Sequence, residues 1–192
     1  ETDRSGSVKA GRAGMSDYFR VMGTNIRMDG SVDIFTEKNY SYEERDSNSN
    51  TDIYVADDIV VINYKTDGRV QYTRIPKSQT EREGYNYISF KWMKRGNDLL
   101  LFYNDHKDNV SRDLSRRPYS MGDVRRAVLV MATVDSRGEL TREAVYDNKE
   151  LDMVTMIKES EVFNNEALIL YAERNRVFSK QRIRFGRLTL PY

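Results

Sequence analysis

The sequence predicts an all-β fold: antiparallel hairpins repeated in propeller-like blades, with a β-sandwich or barrel as the alternative. Three observations carry this expectation. Short runs rich in Val, Ile, Tyr, Phe and Thr recur along most of the chain with partial alternation, the pattern that a half-buried pleated surface selects. A Gly or Asn stands at one fixed place in several of the turns between them. Apolar spacing at the 3.6-residue period of a helix is scarce.

Taken in order, the opening "ETDRSGSVKAGRAGMSD" has three glycines and almost no apolar residues. Residues 1–16 are therefore expected to form a flexible arm, or a strand that orders only against a partner. Residues 17–192 are expected to form a single all-β domain. Its strand-like runs are "DYFRVMG", "NIRM", "SVDIFTEKNYSY", "DIVVINYK", "RVQYTRI", "YNYISFKWM", "DLLLFYND", "VRRAVLVMATV", "ELTREAVY", "EALILYAER" and "VFSKQRIRFGRLTL". The turns "RMDGSV", "KTDGRV", "DSRGEL" and "ERNRVF" align on Gly30, Gly68, Gly138 and Asn175, which stand 38, 70 and 37 residues apart. An apolar or aromatic residue precedes each by four positions and follows it by two. A positive φ in a tight hairpin explains the fixed Gly or Asn. "KRGNDL" around Gly96 fits as a shifted fifth turn, giving a weak internal repeat.

Other segments interrupt this rhythm. Glu43 to Asp52, "EERDSNSNTD", reads as a mobile surface loop. "TRIPKSQ" should leave its sheet at Pro76 or lie at an edge, because proline cannot donate to a ladder. Ser111 to Asp123 has room for a helical turn but not for a core element. Asn148 to Glu161 is the best helix candidate, with Leu151, Val154 and Ile157 on one face.

Composition excludes several classes of function. A chain of 22.5 kDa buries roughly 70% of its unfolded surface and needs no covalent staples. There are no cysteines, hence no disulfides, thiolate nucleophiles or cysteine-ligated metal centres. A net charge of +1 gives no global pull toward nucleic acid or an anionic membrane. No run of about 18 apolar residues exists to span a bilayer. No Walker loop, dinucleotide fingerprint, H-E-x-x-H helix or G-x-S-x-G turn occurs. The residues thus name no catalytic group, metal site or cofactor.

Two stretches remain as candidate ligand sites. Asn104, Asp105, His106, Asp108 and Asn109 close the strand "DLLLFYN" around the only histidine. Their oxygens could serve calcium, although the EF-hand spacing is absent. A carboxylate could also orient His106 as a base. The simpler reading is that Asn and Asp end the strand by bonding their own backbone. Near the C-terminus, Lys180, Arg182, Arg184 and Arg187 lie in a run with no acid. In a strand, Lys180, Arg182 and Arg184 share one face and Ile183 and Phe185 take the other. That stripe could bind phosphates or acidic polysaccharide, or simply solvate a terminal strand over a core face. Asp57 and Asp58 fit a loop between strands, and Trp92 fits a packing role in the core or between blades.

Three pieces together, "IPKSQ" at Ile75 to Gln79, "LLFYND" at Leu100 to Asp105 with Asn109 behind it, and "RIRFGRLTL" at Arg182 to Leu190, resemble the C-terminal part of a family of uncharacterised exported proteins of Bacteroidota. The resemblance implies a cell-envelope location, periplasmic or exported, and a propeller-like all-β fold. It carries no reaction with it. It also implies that the chain is a fragment of a longer protein. The expected function is a non-enzymatic binding or scaffold protein that presents sheet surfaces to a partner protein or glycan. The alternatives are an enzyme or calcium-dependent binder at the 104–109 loop, or an anion or nucleic-acid binder on the basic strand.

Overall fold

The computed structural model describes residues 16–46, 49–82, 84–174 and 182–189. Apart from Ser16, the expected arm lies outside them. Twelve strands and one four-residue helix are found among the described residues: β1 (Phe19–Ile26), β2 (Val32–Asp46), β3 (Ser49–Tyr64), β4 (Val70–Arg82), β5 (Lys91–Arg95), β6 (Asp98–His106), β7 (Ala127–Val134), β8 (Leu140–Asp147), α1 (Asn148–Leu151), β9 (Val154–Thr155), β10 (Glu161–Phe163), β11 (Ala167–Arg174) and β12 (Arg182–Thr189). The chain is all-β, in three antiparallel sheets. Two are four-stranded meanders, β1-β2-β3-β4 and β5-β6-β7-β8. The third is β10-β11-β12, with β9 beside β10 on the same edge of β11.

The glycine turns form as the spacing predicts. Gly30, Gly68, Gly96 and Gly138 all have positive φ. In three of the turns the Gly N–H donates to the carbonyl three residues back, on Arg27, Lys65 or Asp135. Asp29, Asp67 and Asp135 each take a backbone N–H two residues on, which locks the bend. The Gly96 turn is tighter, closed by the Arg95–Asp98 pair. The Asn175 turn lies outside the described residues.

The sheets stack face to face in chain order. Phe35, Ile59, Val61 and Ile75 of the first sheet meet Leu99, Leu101, Tyr103, Val128 and Val130 of the second. The opposite face of the second sheet, through Met93, Leu100, Phe102 and Leu129, meets Ile157, Leu168 and Leu170 of the third layer. β6 is thus covered on both sides, which explains why "LLLFY" reads as an unbroken apolar run. Side chains also tie the outer strands. Thr73 Oγ1 donates to Gly138 O at 3.0 Å, and Gln71 Nε2 donates to Arg137 O.

Four expectations are corrected. The described residues of 43–52 are strand rather than loop: β2 and β3 stay paired to Asp46 and Ser49. β4 runs on through Pro76 as the edge strand of its sheet, the second of the two outcomes expected for the proline. A double bulge absorbs the proline: Pro76 and Lys77 stand opposite Asp58, while Asp57 and Asp58 stand opposite Lys38. Asp57 and Asp58 therefore lie inside a strand, where Asp58 holds Arg74 at 3.0 and 3.1 Å. The run "YNYISFKWM" is extended only from Lys91, because Ser89 takes a left-handed φ of +77°. The helix expected over 148–161 stops after one turn at Asp152, whose φ is +51°. Val154 and Thr155, both β-branched, pair with β11 instead. The segment 111–123 is irregular as expected, but it buries Met121 beside Ala56 and Ile88.

Candidate functional site

The residues around His106 close β6 through a network of hydrogen bonds. Asn104 and Asp105 lie inside β6, and both are buried with Asn109. The Asn104 amide donates to Tyr87 O and Thr155 O, both at 2.8 Å, and its backbone carbonyl accepts from Gln79 Nε2 at 2.6 Å. One residue thus links all three sheets. Asp105 Oδ1 accepts from His106 N and from Asn109 Nδ2, both at 2.8 Å. Asn109 in turn holds Tyr119 through both ends of its amide. Burial pushes the Asp105 carboxyl up to about 6, against the hydrogen bonds from Asn109 and His106. His106 Nδ1 accepts from Asp108 N at 3.2 Å and caps the short turn Lys107–Asn109. Among the described residues, no three acidic or imidazole side chains are placed to hold a metal ion. His106 and Asp108 do line a shallow, mixed-charge hollow of about 470 Å³ with Lys107, Arg126, Asp147 and Lys149.

The basic run divides. Lys180 lies outside the described residues. Arg182 opens β12. Arg184 and Arg187 are exposed, and strand alternation sends them to opposite faces. The apolar residues expected to back this strand do not enter the core. Leu188 packs toward the second sheet, whereas Ile183 and Phe185 face outward. Ile183 is 54% exposed and Phe185 is 74% exposed, with Phe163 at 56% on the same sheet. Phe185 meets Tyr171 edge-on, ring centroids 5.3 Å apart. The third sheet therefore ends the stack with an aromatic and aliphatic outer surface.

Two further features have no local signature in the sequence. The first is a buried polar cluster at the bulge. Lys77 Nζ contacts Glu37 Oε1 at 2.8 Å, Ala56 O at 2.8 Å and Gln79 Oε1 at 2.6 Å. Glu37 Oε2 also accepts from Ser89 Oγ at 2.8 Å and Asn39 Nδ2 at 3.1 Å. Beside it, burial and the nearby Glu173 charge lift Glu81 to about 7, while Tyr87 N donates to its Oε2 at 3.1 Å. The second is a cleft of about 580 Å³ where edges of the three sheets converge. Arg20, Lys91 and Lys158 line it, with Tyr85, Trp92 and Ser89. Their positions lie far apart in the chain, so no spacing rule gathers them; the lone tryptophan was the only pointer.

Among the described residues, no helix is long and apolar enough to cross a membrane. Comparison of the chain with protein-family models, with curated proteins and with solved structures finds no match.

Proposed function

We propose that the chain is a non-enzymatic binding or scaffold protein of the cell envelope, and that its sheets are propeller-like blades in a longer series. The single observation that carries the binding role is the outer face of the third sheet, where Phe163, Ile183 and Phe185 are each more than half exposed. The first two sheets bury comparable side chains against the next layer. A further sheet, from a partner protein, completes the same packing on the third. The face-to-face succession of the sheets in chain order supports the blade reading, because propeller blades also follow one another along the chain. The envelope location rests on the resemblance carried by "IPKSQ", "LLFYND" and "RIRFGRLTL".

Light scattering with and without native partners tests the reading. The expected result is a mass above 22.5 kDa in the presence of partner, returning to that of the chain alone in Phe185→Ser with Ile183→Thr. A monomer that ignores its partners and turns over a small substrate overturns it.

A further inference from the structure

We infer that the cleft between the sheet edges is a binding site for a small organic carboxylate with a flat apolar body. The volume, about 580 Å³, falls within the range of ligand pockets, about 300–1,000 Å³. Its charge is one-sided. Arg20, Lys91 and Lys158 contribute three cations, against one acid, Glu161. Glu161 approaches Lys91 at 3.7 Å from a largely exposed position on the rim. The Lys158 ammonium lies 4.6 Å above the Tyr85 ring, so a cation is already poised over an aromatic surface.

The walls favour a ring. Trp92 is stacked on Phe35, centroids 4.2 Å apart and 16° from parallel, which fixes the indole plane. Gly23 admits that indole: a Cβ there would lie 3.0 Å from Trp92 Nε1. Ser89 adds a held polar group. Its φ of +77° is strained for a serine, and it is maintained by Gln79 Oε1 accepting its N–H at 2.8 Å and Glu37 accepting its hydroxyl. Strain of this kind persists where surrounding structure over-determines it, as at ligand sites. Inorganic phosphate would satisfy the cations but leave the aromatic walls wet; a neutral ring would do the reverse. An aromatic carboxylate satisfies both.

The test uses Trp92, the only tryptophan, as the reporter. Its emission is followed on titration with phenylpropanoate and with phenylpropanol, which keeps the ring and removes the charge. A saturable response is expected with the acid, at concentrations at least about tenfold lower than with the alcohol, a charge-assisted contact being worth about that factor. Lys91→Gln with Lys158→Gln is expected to weaken the acid about tenfold and leave the alcohol unchanged. Lys149→Gln in the separate hollow and Phe185→Ser on the third sheet should change neither. No emission response, equal affinity for acid and alcohol, or an unaffected double variant overturns the proposal. Loss of acid binding in Phe185→Ser also overturns it, by moving the site to the outer face.

Discussion

Lys77 shows how a charge is kept in the interior. Its ammonium donates to Ala56 O and Gln79 Oε1 and forms an ion pair with Glu37 at 2.8 Å. Breaking one side of such a pair costs about 3–5 kcal/mol, whereas an apolar replacement of both is often neutral. Asp105 behaves differently. Its carboxyl titrates near 6 when folded, against an ordinary 3.8. Between those values the folded state binds the proton more tightly than the unfolded chain. Stability from this group is thus highest below 3.8 and declines as pH rises to about 6, then levels off. Urea unfolding across that window should show the decline in the parent chain and a flatter profile in Asp105→Asn. An identical slope in both would place the effect elsewhere.

At the scale of elements, the hairpin turns were the most legible feature, because a positive φ leaves a mark in residue type. Gly68 and Gly138 share that φ, at +84° and +81°, but not their surroundings. A Cβ on Gly68 meets nothing within 4 Å; one on Gly138 collides with the Gln71 amide and comes within 3.0 Å of Thr73 Oγ1. Gly68→Ala should cost about 1 kcal/mol, for the left-handed backbone alone. Gly138→Ala should cost roughly 1 kcal/mol more, because it displaces a hydrogen bond between the first two sheets. Thermal unfolding of the two variants ranks them, and equal losses would mean that the Gln71 contact adds no stability. The outer half of the β2–β3 hairpin was not legible. Glu43, Glu44, Arg45 and their partners across to Asp52 project beyond the core, so no buried face imposes alternation on them. The failed helix at 148–161 has a related cause: Val154 and Ile157 are buried, but against β11 and the second sheet rather than along one helical stripe.

For the whole molecule, the all-β class was legible, and the order of stacking was half written in β6. Its seven consecutive buried residues, Leu99 to Asp105, mark a strand covered on both faces. The cleft was not legible, since residues 20, 91 and 158 meet only once three sheets are in place. The same layering sets local stability. Amides of β6 and β7 should be the slowest to exchange with deuterium, approaching the global unfolding limit, while β1 and β12 exchange through edge fraying. Mass spectrometry of exchanged peptides would show this, and slower exchange in β3 than in β6 would contradict it.

The central position of the second sheet also shapes how a ribosome must deliver this chain. Synthesis proceeds at roughly 5–20 residues per second. The first sheet is complete at Arg82, but the cover over Phe35, Ile59, Val61 and Ile75 is complete only when β7 has emerged at Val134. That interval is about three to ten seconds. When it ends, the opposite side, with Leu100, Phe102 and Leu129, has just been created and waits for Leu168 and Leu170. The nascent chain thus passes its greasy surface forward from layer to layer without retiring it.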